Sequence, residues 1–202
     1  MKHNVYVISA GRYDKLPFTK EQKSKYIFCV KNGEGNLYKK NGCENVFETG
    51  NLMQSRNFAL EHAFKNKKMC VQLSDDIKKV VINKNFGEPK KVDLDYAIND
   101  IVNKFNNVKG VKLLGIPPTD NYFFANKIVS VNTFCIGDML FIKPNPLRFD
   151  EQLTLKEDYD YTLQHMERGD VILQLYSLEL LSMFLILAFS LVKRFINSTF
   201  TT

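Results

Sequence analysis

Asp75 and Asp76 close the apolar run Met69-Cys70-Val71-Gln72-Leu73, with Ser74 between the run and the pair. Two carboxylates at the carboxyl end of a buried parallel strand face the crevice in which open α/β sheets bind ligands. Hard divalent cations such as Mg²⁺ or Mn²⁺ take oxygen ligands of this kind and keep positions open for phosphate oxygens. A cation held there would neutralise a diphosphate leaving group as a bond to it breaks. The plainer alternative is that Ser74-Asp75-Asp76 caps a turn. Upstream, Arg56 offers a planar fork for phosphate or carboxylate, and Asn57 a neutral hydrogen-bonding amide. For Arg56 the competing role is a surface ion pair with Glu61 or Asp75. Downstream, Glu157 and Asp158 open a helix, where acids also complement the helix dipole.

The elements that must position these groups are legible from apolar spacing. Val5-Tyr6-Val7-Ile8-Ser9 reads as a buried first strand closed by Ala10-Gly11, and Tyr26 to Val30 as a second. Arg12 to Lys25, with Pro17 and many charges, reads as a loop and a short helix. Gly50-Asn51 opens a helix carrying Leu52, Phe58, Ala59 and Ala63, which ends at Lys65 to Lys68. The run 69–73 is then a third strand. Leu94, Ala97, Ile98, Ile101, Val102 and Phe105 predict a helix over 94–105 with Asp93 as its cap. Val111 to Leu114 and Met139 to Ile142 read as strands, and Glu157 to Glu167 as a helix stopped at Gly169. Strands alternating with helices predict an α/β fold with an open, mostly parallel, Rossmann-like sheet flanked by helices.

The chain has 202 residues, enough for a single domain with a sizeable core. Its formal net charge of +6 suits a polyanionic partner, either nucleic acid or a nucleotide diphosphate. The lysines are dispersed rather than striped, and Lys- and Asn-rich composition offers a competing origin for that charge. Cys29, Cys43, Cys70 and Cys135 form no CxxC pair, so reduced core thiols are expected and a zinc site is not. With no signal peptide at Met1-Lys2-His3-Asn4, a cytoplasmic protein is expected. Pro117 to Asp120 form a loop leading into Tyr122, Phe123 and Phe124, which suit a core or, if exposed, stacking on an extruded base.

From Val171 to Val192 the composition turns apolar, with Glu179 as its single charge. A buried terminal helix, a membrane anchor over 171–192 and a shifted or truncated reading frame all account for it. The abrupt change favours the last. The expected division is therefore a domain over 1–168 and an atypical tail over 169–202.

The string Gly50 to Ala63, with Arg56-Asn57 on a helix, then a strand ending in Asp75-Asp76, resembles GT-A glycosyltransferases. In that family the sugar nucleotide lies across both motifs. The resemblance implies that Ser9, Ala10, Gly11 and Arg12 form the nucleotide-binding loop, with Arg56, Asn57 and Asp75 also contacting the donor. It implies Asp75 and Asp76 as ligands for Mn²⁺ or Mg²⁺, and Asp158 as general base on the acceptor hydroxyl. The helix Leu155 to His165 is similar to that of the TET/JBP-associated glycosyltransferases, mostly phage and related enzymes that glycosylate hydroxymethylated pyrimidines in DNA. Two positions depart from the pattern: Ser74 stands where a full Asp-x-Asp motif has its first acid, and no His follows His165.

The resemblance implies metal-dependent transfer of a sugar from a UDP-sugar to a hydroxyl, preferentially on a hydroxymethylated pyrimidine in DNA, with which the positive charge agrees. If the gene is a phage's, the site of action is the host cytoplasm. Alternatives are a glycan- or lipid-modifying enzyme anchored by its tail, an inactive nucleotide-binding relative, and a nucleotidyltransferase.

Overall fold

A computed structural model describes residues 1–77, 79–83, 89–117 and 129–175. The elements run β1 (His3–Ser9), α1 (Lys20–Lys25), β2 (Ile27–Val30), α2 (Gly35–Lys40), β3 (Asn45–Glu48), α3 (Leu52–Lys65) and β4 (Met69–Ser74). They continue β5 (Val80–Asn83), β6 (Pro89–Val92), α4 (Leu94–Asn106), β7 (Val111–Gly115), β8 (Val129–Val131), β9 (Met139–Ile142), α5 (Glu157–Glu167) and β10 (Val171–Leu175).

An eight-stranded sheet in the order β3-β2-β1-β4-β9-β7-β10-β8 forms the centre, while β5 and β6 pair in a small separate ribbon. β1, β2, β3 and β4 pair in parallel, as do β7 and β10. β9 and β8 run against their neighbours. This is the expected α/β fold with a large, mostly parallel sheet between helices. Strand residues alternate between two cores, as a two-sided sheet requires. Val5, Val7, Val71, Leu73 and Phe141 pack on one face with Ile98, Ile101 and Phe105 of α4. Tyr6, Cys70, Leu140 and Ile172 pack on the other with Ala59, Leu60 and Ala63 of α3 and Tyr161 of α5.

The four cysteines are buried free thiols. Val171–Leu175, placed in the apolar tail by composition, form β10 between β7 and β8. The remainder of that tail, from residue 176, and the aromatic run at Tyr122 to Phe124 lie outside the described residues. Among the described residues no helix is long and apolar enough to cross a membrane.

The chain runs outward from β1 to β2 and β3, then returns through α3 to place β4 on the other side of β1. That reversal opens a crevice at the carboxyl ends of β1 and β4. α3 starts cleanly there: the Asn51 side chain accepts from the Gln54 amide at 3.0 Å, and the Gln54 side chain accepts from the Asn51 amide at 3.0 Å. This reciprocal capping box satisfies two amides that the helix itself leaves unpaired.

At the opposite end of the sheet, Lys143 donates to the Val108 carbonyl at 2.6 Å and lies 4.2 Å from the centre of the Phe105 ring. Burial, with Lys112 adding to it, pulls its ammonium down to about 8. A base whose folded pKa lies below its unfolded value binds fewer protons when folded, so its contribution to stability rises with pH between those values. Wild type should therefore gain on Lys143→Met as pH rises from 8 towards 10, by up to about 1 kcal/mol per pH unit. Parallel urea titrations of the two proteins read this directly; a pH-independent difference would contradict it.

Candidate functional site

The register of β1 against β4 pairs Ile8 with Ser74, so Ser9 and Asp75 leave the sheet side by side. The Ser9 hydroxyl donates to Asp75 Oδ2 at 2.5 Å and lies 2.6 Å from the Tyr38 hydroxyl of α2. Arg12 bridges both acids, with Nε 3.6 Å from Asp75 Oδ1 and Nη1 3.7 Å from Asp76 Oδ2. Ser74 donates to Asp76 Oδ1 at 2.6 Å. Burial pushes the Asp75 carboxyl above the usual carboxylate range; Ser9 and Arg12 pull it back, and Asp76 pushes it further up.

Ser9, Arg12, Ser74 and Asp75 wall a cavity of about 620 Å³ between the ends of β1, β2 and β4 and the start of α3, and Asp76 lies next to that wall without lining it. That is large enough for a nucleotide-sized ligand. Of the residues expected at the donor, Ser9, Ala10, Arg12 and Asp75 line it. Gly11 stands beside it at φ +69°, its amide donating to Glu34 Oε2 at 2.8 Å. That bond, with the left-handed backbone that glycine adopts without strain, sets the turn of the loop. Lys31 and Asn32 also line the cavity, and spacing alone gave no sign of it. Their turn is fixed by Glu48 of β3, which accepts the amides of Gly33 at 3.0 Å and Gly35 at 2.8 Å. The signal was present as Asn32-Gly33 directly after a buried strand, the sheet end at which ligands bind.

Arg56 and Asn57 do not line the cavity. The Arg56 guanidinium is buried against Glu157, neither Glu61 nor Asp75 being its partner, and the Asn57 amide is bonded to the Phe149 backbone. Asp158 begins α5, where its Oδ2 accepts the Gly137 amide at 2.8 Å.

Asp138 is an acid that spacing did not single out. β9 pairs antiparallel to β4, Leu73 with Met139, and the Ser74 amide donates to the Asp138 carbonyl at 2.8 Å. Asp138 is thereby brought to the same end of the sheet as Asp75 and Asp76. Burial raises its carboxyl, and the charges of Asp76 and Asp158 raise it further. A Gly-Asp step directly before a strand was the available clue, but only the antiparallel pairing gives it meaning.

Asp75 and Asp76 offer oxygen donors of the kind a hard cation takes, and in this structure Arg12 pairs with both. Among the described residues no three His, Cys, Asp or Glu side chains gather so as to hold a metal ion. His165, the last histidine, is fully buried below Tyr161, with Nδ1 2.9 Å from Asp170 Oδ2. His62 packs flat on Phe58 and lies 2.8 Å from the Tyr6 hydroxyl.

A model of the TET-Associated Glycosyltransferase family matches residues 3–183. The chain belongs to that family. This TET-associated glycosyltransferase therefore carries its family's match from β1 through β10 and on past the end of that strand. No match is found among the curated proteins. Among solved structures the glycosyltransferase is similar to the crystal structure of A197 from STIV, with a TM-score of 0.52 and 15% identity. That similarity covers 88% of this chain and 83% of the other, and concerns the fold alone.

Proposed function

We propose that this glycosyltransferase takes its sugar from a UDP-type donor bound in the 620 Å³ cavity, and transfers it to the hydroxymethyl group of a modified pyrimidine in DNA. The observation that carries the donor reading is the junction of β1 and β4. There a small-residue loop, the basic Arg12 and the Asp75 carboxylate meet at the wall of one cavity, with Asp76 joined to them through Arg12. Ser9 and Ala10 leave room for a flat base and ribose, and Arg12 and Lys31 supply positive charge towards a diphosphate. When bound at Asp75 and Asp76, Mg²⁺ or Mn²⁺ would supply charge neutralisation of the leaving diphosphate.

Asp158 is the proposed general base. Its carboxylate accepts the proton of the acceptor hydroxyl as that oxygen bonds to the anomeric carbon. The bond from that carbon to the diphosphate oxygen breaks, and UDP departs with the electron pair. The acceptor reading rests on the similarity to enzymes of hydroxymethylated DNA, and the net charge of +6 agrees with a polyanionic substrate.

The test is transfer from radiolabelled UDP-glucose, with Mn²⁺, to oligonucleotides containing hydroxymethylcytosine, hydroxymethyluracil or unmodified cytosine. Label should appear on a hydroxymethylated strand and not on the unmodified one. Equal labelling of all three, or transfer only to a glycan or lipid acceptor, would reject the DNA reading.

A further inference from the structure

Arg56 and Asn57 stand next to the cavity in sequence but face away from it. Arg56 is buried, with Nε and Nη2 each 3.2 Å from Glu157 Oε1. Nη1 donates to Gln72 Oε1 at 3.1 Å, and Nη2 to the Gly137 carbonyl at 3.2 Å. Gln72 answers by donating to the Arg56 carbonyl at 3.0 Å. Asn57 treats Phe149 as a neighbouring strand would: its Nδ2 donates to the Phe149 carbonyl at 2.9 Å, and its Oδ1 accepts the Phe149 amide at 2.9 Å. The same Nδ2 reaches Glu151 Oε1 at 3.0 Å. The Phe149 ring lies between the Arg56 guanidinium at 5.3 Å and the Tyr161 ring at 4.2 Å.

Apart from the pairing with Gln72 of β4 and the contacts with Glu157 and Tyr161 of α5, these contacts fall on the stretch that connects β9 to α5 or on the turn that starts β9. Gly137 is gripped through both of its backbone groups, its carbonyl by Arg56 and its amide by Asp158. A Cβ on residue 137 would run into Arg56 Nη2, so glycine is what lets the guanidinium close on that carbonyl. Just ahead of Glu157, Lys156 is held at φ +60°, a left-handed backbone that a non-glycine residue keeps only when its surroundings fix it.

We infer that Arg56 and Asn57 are positioning residues for Asp158, clamping the segment Phe149 to Glu157 and the Gly137 turn so that the candidate base meets the acceptor at a fixed place. Neither contacts the donor. Arg56 acts through Glu157, the residue next to Asp158, and through the carbonyl of Gly137, whose amide Asp158 itself accepts from. The planar fork is required for this, since one guanidinium serves three acceptors at angles that a lysine ammonium on a single stem does not reproduce. The catalytic part of this inference rests on Asp158 being the base.

The test uses the full chain with Arg56→Met/Glu157→Met, which replaces the buried ion pair by two apolar side chains of similar length and so leaves no charge stranded. Three quantities are read: UDP affinity with Mn²⁺ by calorimetry, kcat for transfer, and hydrogen exchange at the Gly137 and Tyr159 amides. UDP affinity should stay within about threefold, exchange at both amides should quicken by about tenfold or more, and kcat should fall by about 10²-fold. A loss of UDP affinity of tenfold or more with unchanged exchange would put the guanidinium on the donor and overturn the inference. Faster exchange with unaltered kcat would overturn it equally. Should wild type transfer no sugar, the function reading fails instead, and the exchange and affinity measurements still decide whether the clamp exists.

Discussion

Asp158→Asn should lower kcat for sugar transfer by about 10²–10⁴-fold, the contribution of a positioned general base. The substitution keeps an oxygen that can accept the Gly137 amide, which lies 2.8 Å from Asp158 Oδ2 in the native site. Glu157 and Asp160 remain in the first turn of α5 to complement its dipole. The fold and the donor cavity, whose lining does not include Asp158, should persist. UDP affinity is therefore expected to be unchanged while turnover collapses, a split that marks loss of a group acting in the transition state. Steady-state kinetics paired with calorimetry check both points. Retention of wild-type kcat would remove Asp158 from the chemistry, and a matching loss of UDP affinity would make it a donor contact.

The second large effect is on stability. Arg56 and Glu157 are the buried ion pair that joins α3 to α5, with side-chain exposures of 8% and 9%. Arg56→Ala strands the Glu157 carboxylate in the interior and leaves the Gly137 carbonyl and Gln72 Oε1 without this donor. Breaking one side of such a pair typically costs about 3–5 kcal/mol, whereas exchanging both members for packed apolar residues is often neutral. Urea unfolding should show the single variant losing about that amount, and Arg56→Met/Glu157→Met losing far less. Equal losses in the two variants would mean that packing against Phe149, not charge pairing, is what Arg56 contributes.

Much of this architecture follows from local pattern. β1, β4 and β9 are short apolar runs closed by turn residues, and α4 carries a continuous apolar stripe with a clear stop. Each was legible because its burial dictates its period. α5 was marked instead by its acidic first turn and its stop at Gly169, since it buries Glu157, Tyr161, Thr162 and His165 and leaves Tyr159 and Leu163 exposed. β3 was not, because Asn45-Val46-Phe47-Glu48 is a partly exposed edge strand with no apolar run to mark it. α2 has only six residues, too few to show a period. β10 was hidden for the opposite reason: Val171–Leu175 merges into the apolar residues that follow, so composition alone did not separate strand from tail.

The site divides in the same way. Ser9 and Asp75 were recognisable because both end apolar strands, and parallel pairing then makes them neighbours. The direction of Arg56 was not, since it depends on Glu157, a partner 101 residues away. A helix face that reads as poised towards phosphate turns inward once that carboxylate is packed against it. Asp138 became visible only through the antiparallel placement of β9, which no single run of residues encodes. Side-chain direction separates the residues of these motifs that line the cavity, Ser9, Ala10, Arg12 and Asp75, from Arg56 and Asn57, which do not.

The most direct measurement of the donor site is calorimetric titration of UDP with and without Mn²⁺, on the native chain and on Asp76→Ala. The half-exposed Asp76 contacts Arg12 and Ser74, so its removal should leave the fold intact. UDP binding that requires Mn²⁺ and is lost in Asp76→Ala is the predicted result. Binding of equal strength with and without the metal, or in the variant as in the native chain, would contradict a cation-assisted diphosphate site at the end of β4.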